Sequence, residues 1–134
     1  MARLFLVRHG ETDWNRQRKL QGHTDIPLNA RGLQQAESLR ELLSSHTPTH
    51  LFSSDLQRAR QTAQAAFPSR TTLTSALLRE INLGLAEGHS RERIQELYGA
   101  ELWNKWADAK FSSYTTRFPS GESRIEGLQR LFNF

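Results

Sequence analysis

The chain has no cysteine, which removes a disulfide framework, a thiolate metal site and a cysteine nucleophile together. Lysine is scarce: only Lys19, Lys105 and Lys110 stand among 18 cationic residues, and every other one is an arginine. No apolar run approaches the roughly 18 residues of a membrane span. The longest early one, Leu4 to Val7, is also too short for a secretory signal. These absences read as a cytoplasmic protein with no membrane partner.

What is present suffices for a single domain over residues 1–134. Apolar side chains make up 37% of the 134 residues. Surface scaling for this mass gives roughly 7,000 Å² folded against about 22,000 Å² extended. A net charge of +4 and a sequence pI near 10.1 invite a nucleic-acid reading. Yet the arginines are scattered among glutamates rather than massed in one block. Arginine's planar fork suits bidentate capture of phosphate, so a small phosphorylated substrate is favoured over nucleic acid. A steep salt dependence of DNA or RNA affinity would reverse that choice.

Leu4 to Val7 is continuously apolar, the pattern of a strand buried on both faces. A helix is expected after Asn29 as N-cap, with Leu33, Ala36, Leu39 and Leu43 on one face. Thr49 to Ser53 reads as a second strand. Ser54 and Gln57 have the form of a capping box for a helix that Pro68 closes. Thr71 to Thr74 is a weak third strand. Helices are expected over Ser90 to Tyr98 and Ala100 to Ala109, split at Gly99, and again from Ile125. Strand, helix, strand, helix, strand is the order of an α/β domain with a mainly parallel sheet.

The chemistry concentrates in Leu6-Val7-Arg8-His9-Gly10-Glu11-Thr12-Asp13-Trp14-Asn15. A buried strand would deliver Arg8 and His9 to its carboxyl end, where open α/β sheets place ligands. A histidine beside arginine is a poor metal ligand and a good nucleophile, because the adjacent charge disfavours imidazolium. The same cation neutralises phosphoryl oxygens. Taken alone, His9 reads first as a plain histidine at a strand end; the whole string does not.

That string resembles the signature of the histidine phosphatase superfamily, in its phosphoglycerate mutase-like branch. Four further blocks match in order: Gln21 to Asn29, Ser53 to Ala63, Leu78 to Asn82 with Gly84 and Glu87-Gly88, and Pro119 to Ser123. The resemblance implies a three-layer α/β/α fold. It implies that His9 attacks phosphorus to form a phosphohistidine while Arg8 and Arg58 clamp the equatorial oxygens. Arg58 would sit in the first turn of its helix, whose N-terminus also favours an anion. Glu80 would donate a proton to the leaving alkoxide. For that role it must hold its proton, which desolvation or a second carboxylate would favour. Asn15, Gln21 and Gly22 would supply polar contacts to phosphate or substrate. Glu122 is a further candidate, with capping of the last helix as its other reading. No metal and no cofactor is implied.

His46, His50 and His89 carry no motif support. His23 is open between a specificity role and a turn role. Trp103 and Trp106 read as core or lid packing, and Trp14 as a pocket wall. The short stretch from Glu80 to Gly88 looks like the broad phosphatase branch, including α-ribazole phosphatases of cobalamin assembly. Mutases of the superfamily carry a longer insertion there, so a mutase is the second enzymatic reading and a non-catalytic phosphate-binding remnant the third.

The family pattern also has a second active-site histidine after a late strand, in a Val-Ser/Thr-His-Gly type of string. No such string occurs in these 134 residues. The chain is therefore read as a C-terminally truncated member whose sheet is incomplete. An open sheet edge would favour a homodimer or strand exchange between copies.

Overall fold

The computed structural model describes residues 3–134. Six α-helices and a two-stranded parallel sheet make up the α/β fold expected from the element order. Helix α1 (Asp13–Arg16) is a single turn capped by Thr12. Helix α2 (Ala30–Leu42) starts at Asn29, whose side chain accepts the Gly32 N–H as its sequence predicts. Strand β1 (Phe52–Ser54) leads into α3 (Gln57–Ala66), and β2 (Leu73–Ser75) pairs with β1 in the register Phe52 to Leu73. Helices α4 (Arg91–Tyr98) and α5 (Ala100–Ala107) form a hairpin broken at Gly99, and α6 (Arg124–Phe132) closes the order. None of the described helices is long and apolar enough to cross a membrane.

Two packing centres result. Helices α2 and α3 lie against each other, with α3 against β1. The other centre is built from Leu83, Ala86, Ile94 and Phe118, with Trp103 and Trp106 packed on the Phe118 ring. The two tryptophans are partly buried and pack against this core.

The first expected strand is not formed. Leu4 and Leu6 are 83% and 88% exposed, and no described backbone hydrogen bond ties Leu4 to Val7 to another segment. A strand exists through its ladder, and an apolar run supplies neither the paired backbone nor the cover for its two faces. The accessible surface, 8905 Å², accordingly exceeds the roughly 7,000 Å² that scaling predicts.

The expected capping box at Ser54 and Gln57 is absent as well. The N-cap of α3 is Leu56, without a side-chain cap, and Asp25 reaches in from 32 residues away to accept the Gln57 N–H at 2.7 Å. Glu122 does not cap α6: Ser123 and Glu126 form that capping box.

Candidate active site

His9 stands in the turn between the extended N-terminal segment and α1. The Gly10 N–H donates to the Thr62 hydroxyl at 3.1 Å, and that hydroxyl donates to the Arg58 carbonyl at 2.7 Å. One threonine of α3 thereby fixes the turn that carries the nucleophile candidate. His9 Nδ1 lies 2.7 Å from the Gly10 carbonyl oxygen. A carbonyl can only accept, so Nδ1 holds the proton in the neutral ring and Nε2 keeps a lone pair. Burial lowers the pKa of His9 below its ordinary value, and the charges of Arg58 and Arg8 lower it further. The Gly10 bond and Glu80 oppose them. The lowering expected from the adjacent arginine is therefore found, with burial as its first cause.

Arg58, in the first turn of α3, is 2% exposed. Its Nη1 donates to the Thr24 carbonyl at 2.9 Å and its Nη2 to the Gly22 carbonyl at 2.7 Å. These bonds engage two of the five guanidinium donors and leave the others available for an anion. Burial pushes the Arg58 pKa down, while Glu80, Asp25 and Glu87 push it up. At the helix N-terminus the Asp25 carboxylate accepts the Gln57 N–H, so one of the first-turn donors is already engaged within the protein.

Glu80, Arg8 and Arg58 all act electrostatically on His9, so the fold brings the four expected catalytic groups into one field. Arg8 is exposed and has no hydrogen-bond partner among the described residues. Glu80 is exposed too, with its carboxylate accepting the neighbouring Ile81 N–H at 2.9 Å. The protein itself thus supplies no deep burial for that carboxyl group.

Asn15 and Gln21 converge on Thr12. The Thr12 hydroxyl lies 2.8 Å from Gln21 Oε1 and 3.0 Å from Asn15 Oδ1, and the Thr12 N–H donates to Asn15 Oδ1. Their amide oxygens are occupied within the fold. Gly22 adopts a φ of 53°, and a Cβ there would lie 2.1 Å from the Glu87 carboxylate. Its carbonyl holds Arg58. Glu122 accepts the Asn82 N–H at 2.9 Å and pairs with Arg130. Burial alone would raise its pKa, but Arg130 and the Asn82 N–H hold it below the usual carboxylate range.

Two residues with no assigned role in the sequence reading organise the site. The Glu87 carboxylate accepts the backbone N–H groups of His23 and Thr24 at 2.8 Å and of Leu83 at 3.0 Å. It also accepts the Thr24 hydroxyl. Its place in the matching block that runs from Leu78 to Gly88 is the signal that could have flagged it. Arg130 sits two helical turns beyond Glu122 and holds the carbonyls around Glu80. His23 has a structural bond there as well, with Nε2 2.9 Å from the Glu80 carbonyl. A cavity of about 350 Å³ beside Glu80 has apolar walls of Leu78, Ile81, Leu128 and Leu131, with Glu80 and Arg130 also lining it. No group of three or more His, Asp or Glu among the described residues is placed to hold a metal ion.

Known proteins are similar to this chain in sequence and in fold. The "Probable phosphoglycerate mutase GpmB" of Proteus mirabilis is 38% identical over 133 residues, covering 98% of this chain and 60% of its own length. A mycobacterial glucosyl-3-phosphoglycerate phosphatase, solved with VO3, superposes with a TM-score of 0.82 at 30% identity. That match covers 92% of this chain and 60% of the other. The α-ribazole phosphatase of Shigella flexneri gives a TM-score of 0.80 at 28% identity, covering 96% and 62%. This chain thus spans about 60% of the length of the curated relatives it matches. With residues 4–134 matching the pattern of the histidine phosphatase superfamily (branch 1), and the His9 turn, α3 and the Glu80 segment in that family's order, the chain belongs to this superfamily.

Proposed function

We propose that this chain carries the phosphoryl-accepting machinery of a phosphomonoester hydrolase, with His9 as the nucleophile. The observation that supports it most is the Nδ1 bond from His9 to the Gly10 carbonyl. It leaves Nε2 as the attacking atom of a ring whose pKa burial and two arginines lower. Nε2 forms a bond to phosphorus, the ester P–O bond breaks, and the alkoxide leaves with a proton from Glu80. Arg8 and Arg58 neutralise the non-bridging oxygens. Water then attacks the phosphohistidine, gives a proton back to Glu80 and releases inorganic phosphate. Asn15 and Gln21 offer their amide nitrogens to the substrate, and the backbone at Gly22 shapes the floor beneath it.

The substrate is a small phosphomonoester, and α-ribazole 5'-phosphate is the first to test, given the Shigella structure. The GpmB relative favours a second reading, in which a second hydroxyl rather than water takes the phosphoryl group. A cytoplasmic location, with neither nucleic acid nor a membrane as partner, belongs to the same proposal.

The test compares this chain with its His9→Ala variant on p-nitrophenyl phosphate and α-ribazole 5'-phosphate. An acid-labile phosphoryl label and phosphate release, both lost in His9→Ala, are expected. Label that passes to a second hydroxyl without phosphate release identifies a mutase. Vanadate binding without label in the folded chain leaves a phosphate-binding remnant.

A further inference from the structure

We infer that Arg130 is a positioning residue for Glu80, acting through the backbone segment that carries it. Arg130 lies near the end of α6, and its guanidinium is used up inside the protein. Nη1 donates to the carbonyls of Leu77 at 2.7 Å and Arg79 at 3.0 Å, and Nη2 donates to the Glu80 carbonyl at 3.1 Å and to Glu122. Nε donates to the other Glu122 oxygen at 3.3 Å. All five donors of the group are engaged, so none remains for a phosphate.

The geometry clamps one short stretch from both sides. Arg130 holds the carbonyls leading up to Glu80, and Glu122, gripped by Arg130, accepts the Asn82 N–H just beyond it. His23 Nε2 meets the Glu80 carbonyl from the other direction at 2.9 Å. The Glu80 carboxylate has no described side-chain partner, and its one bond is to the adjacent Ile81 N–H. Its position is therefore set by the backbone at its root, and Arg130 sets that backbone. Glu122, expected as a substrate contact, is the counter-ion of this clamp.

This inference rests on the reading of Glu80 as the proton donor, and it makes a selective demand. A leaving alkoxide needs the proton of a well-placed Glu80, whereas p-nitrophenolate leaves without one. A residue with a merely structural role would affect both substrates alike.

The experiment measures phosphohistidine formation on His9 from glycerol phosphate and from p-nitrophenyl phosphate, in the unmodified chain and in Arg130→Lys and Arg130→Met. Lysine keeps the charge and the pairing with Glu122, but one ammonium cannot span three carbonyls. Both variants are expected to slow the glycerol phosphate reaction at least about tenfold and the p-nitrophenyl phosphate reaction less than about threefold. Glu80→Gln should show the same selectivity, and combining it with Arg130→Lys should add little. An equal loss on both substrates, or no loss, overturns the role of Arg130. An unmodified chain labelled by p-nitrophenyl phosphate but not by glycerol phosphate overturns Glu80 as donor, and Arg130 with it. No label from either substrate overturns the reading of His9 itself.

Discussion

Gly10 and Gly32 meet backbone to backbone. A Cβ on Gly10 would lie 2.3 Å from the Gly32 carbonyl oxygen, and one on Gly32 would lie 2.1 Å from the Glu11 carbonyl oxygen. Neither obstacle is a flexible side chain, so the start of α2 rests directly on the His9 turn. Gly10→Ala must push the two apart and is expected to cost about 1–3 kcal/mol. Because the Gly10 carbonyl also holds His9 Nδ1, phosphohistidine labelling should fall as well. A urea midpoint unchanged from the unmodified chain would contradict this packing.

Acid should weaken the fold through His9. Its pKa in the folded chain lies below the ordinary 6.5, so the unfolded chain binds more protons as pH falls through that value. The associated stability is complete above about pH 6.5 and declines below it. His9→Asn removes the titration, and its thermal midpoint should fall less between about pH 7 and about pH 5. Parallel curves for the two proteins would refute the assignment. By the same shift, the acid limb of kcat/KM should lie below pH 6.5.

Glu87 accepts from three backbone N–H groups and one hydroxyl, and of these donors only the Thr24 N–H has a second described acceptor, the Gln21 carbonyl at 3.0 Å. Glu87→Ala returns them to partial solvation, and a loss of about 2 kcal/mol is expected. The Gly22–Thr24 backbone would loosen with it, and the two carbonyls that orient Arg58 lie there. Vanadate affinity should therefore drop even at temperatures where the variant is fully folded. Calorimetry can separate the two effects, and unchanged affinity would sever the link from Glu87 to Arg58.

Leu6 is 88% exposed, so Leu6→Lys should leave stability within about 0.5 kcal/mol, which a buried strand would not tolerate. The homodimer or strand exchange expected from the open edge would run through this segment. Sedimentation of the unmodified chain should then depend on concentration, and the lysine variant should sediment as a monomer. A large destabilisation by Leu6→Lys would place Leu6 in a core.

Local signals in the sequence foretold local structure. Asn29 caps its helix, and the runs from Ser90 and Ile125 are helical, because a capping side chain or an amphipathic pattern is written within a few residues. The collinear blocks placed His9, Arg58 and Glu80 in one electrostatic neighbourhood. What escaped is what depends on distant residues. The strand at Leu4 depends on a partner ladder, and the cap of α3 comes from Asp25. Glu122 reads as a cap until Arg130 folds back to pair with it. Glu87 looks like an ordinary surface glutamate until the loop from Gly22 to Thr24 wraps onto it.

The contrast on either side of His9 also governs motion. Amides from Leu4 to Val7 have no described acceptor and should exchange with deuterated solvent at close to the rate of an open chain. The Gly10 amide, buried against Thr62, should exchange only when α3 separates from the turn. His9 thus stands at a boundary between free and protected backbone, and the bonds that place it come from its C-terminal side.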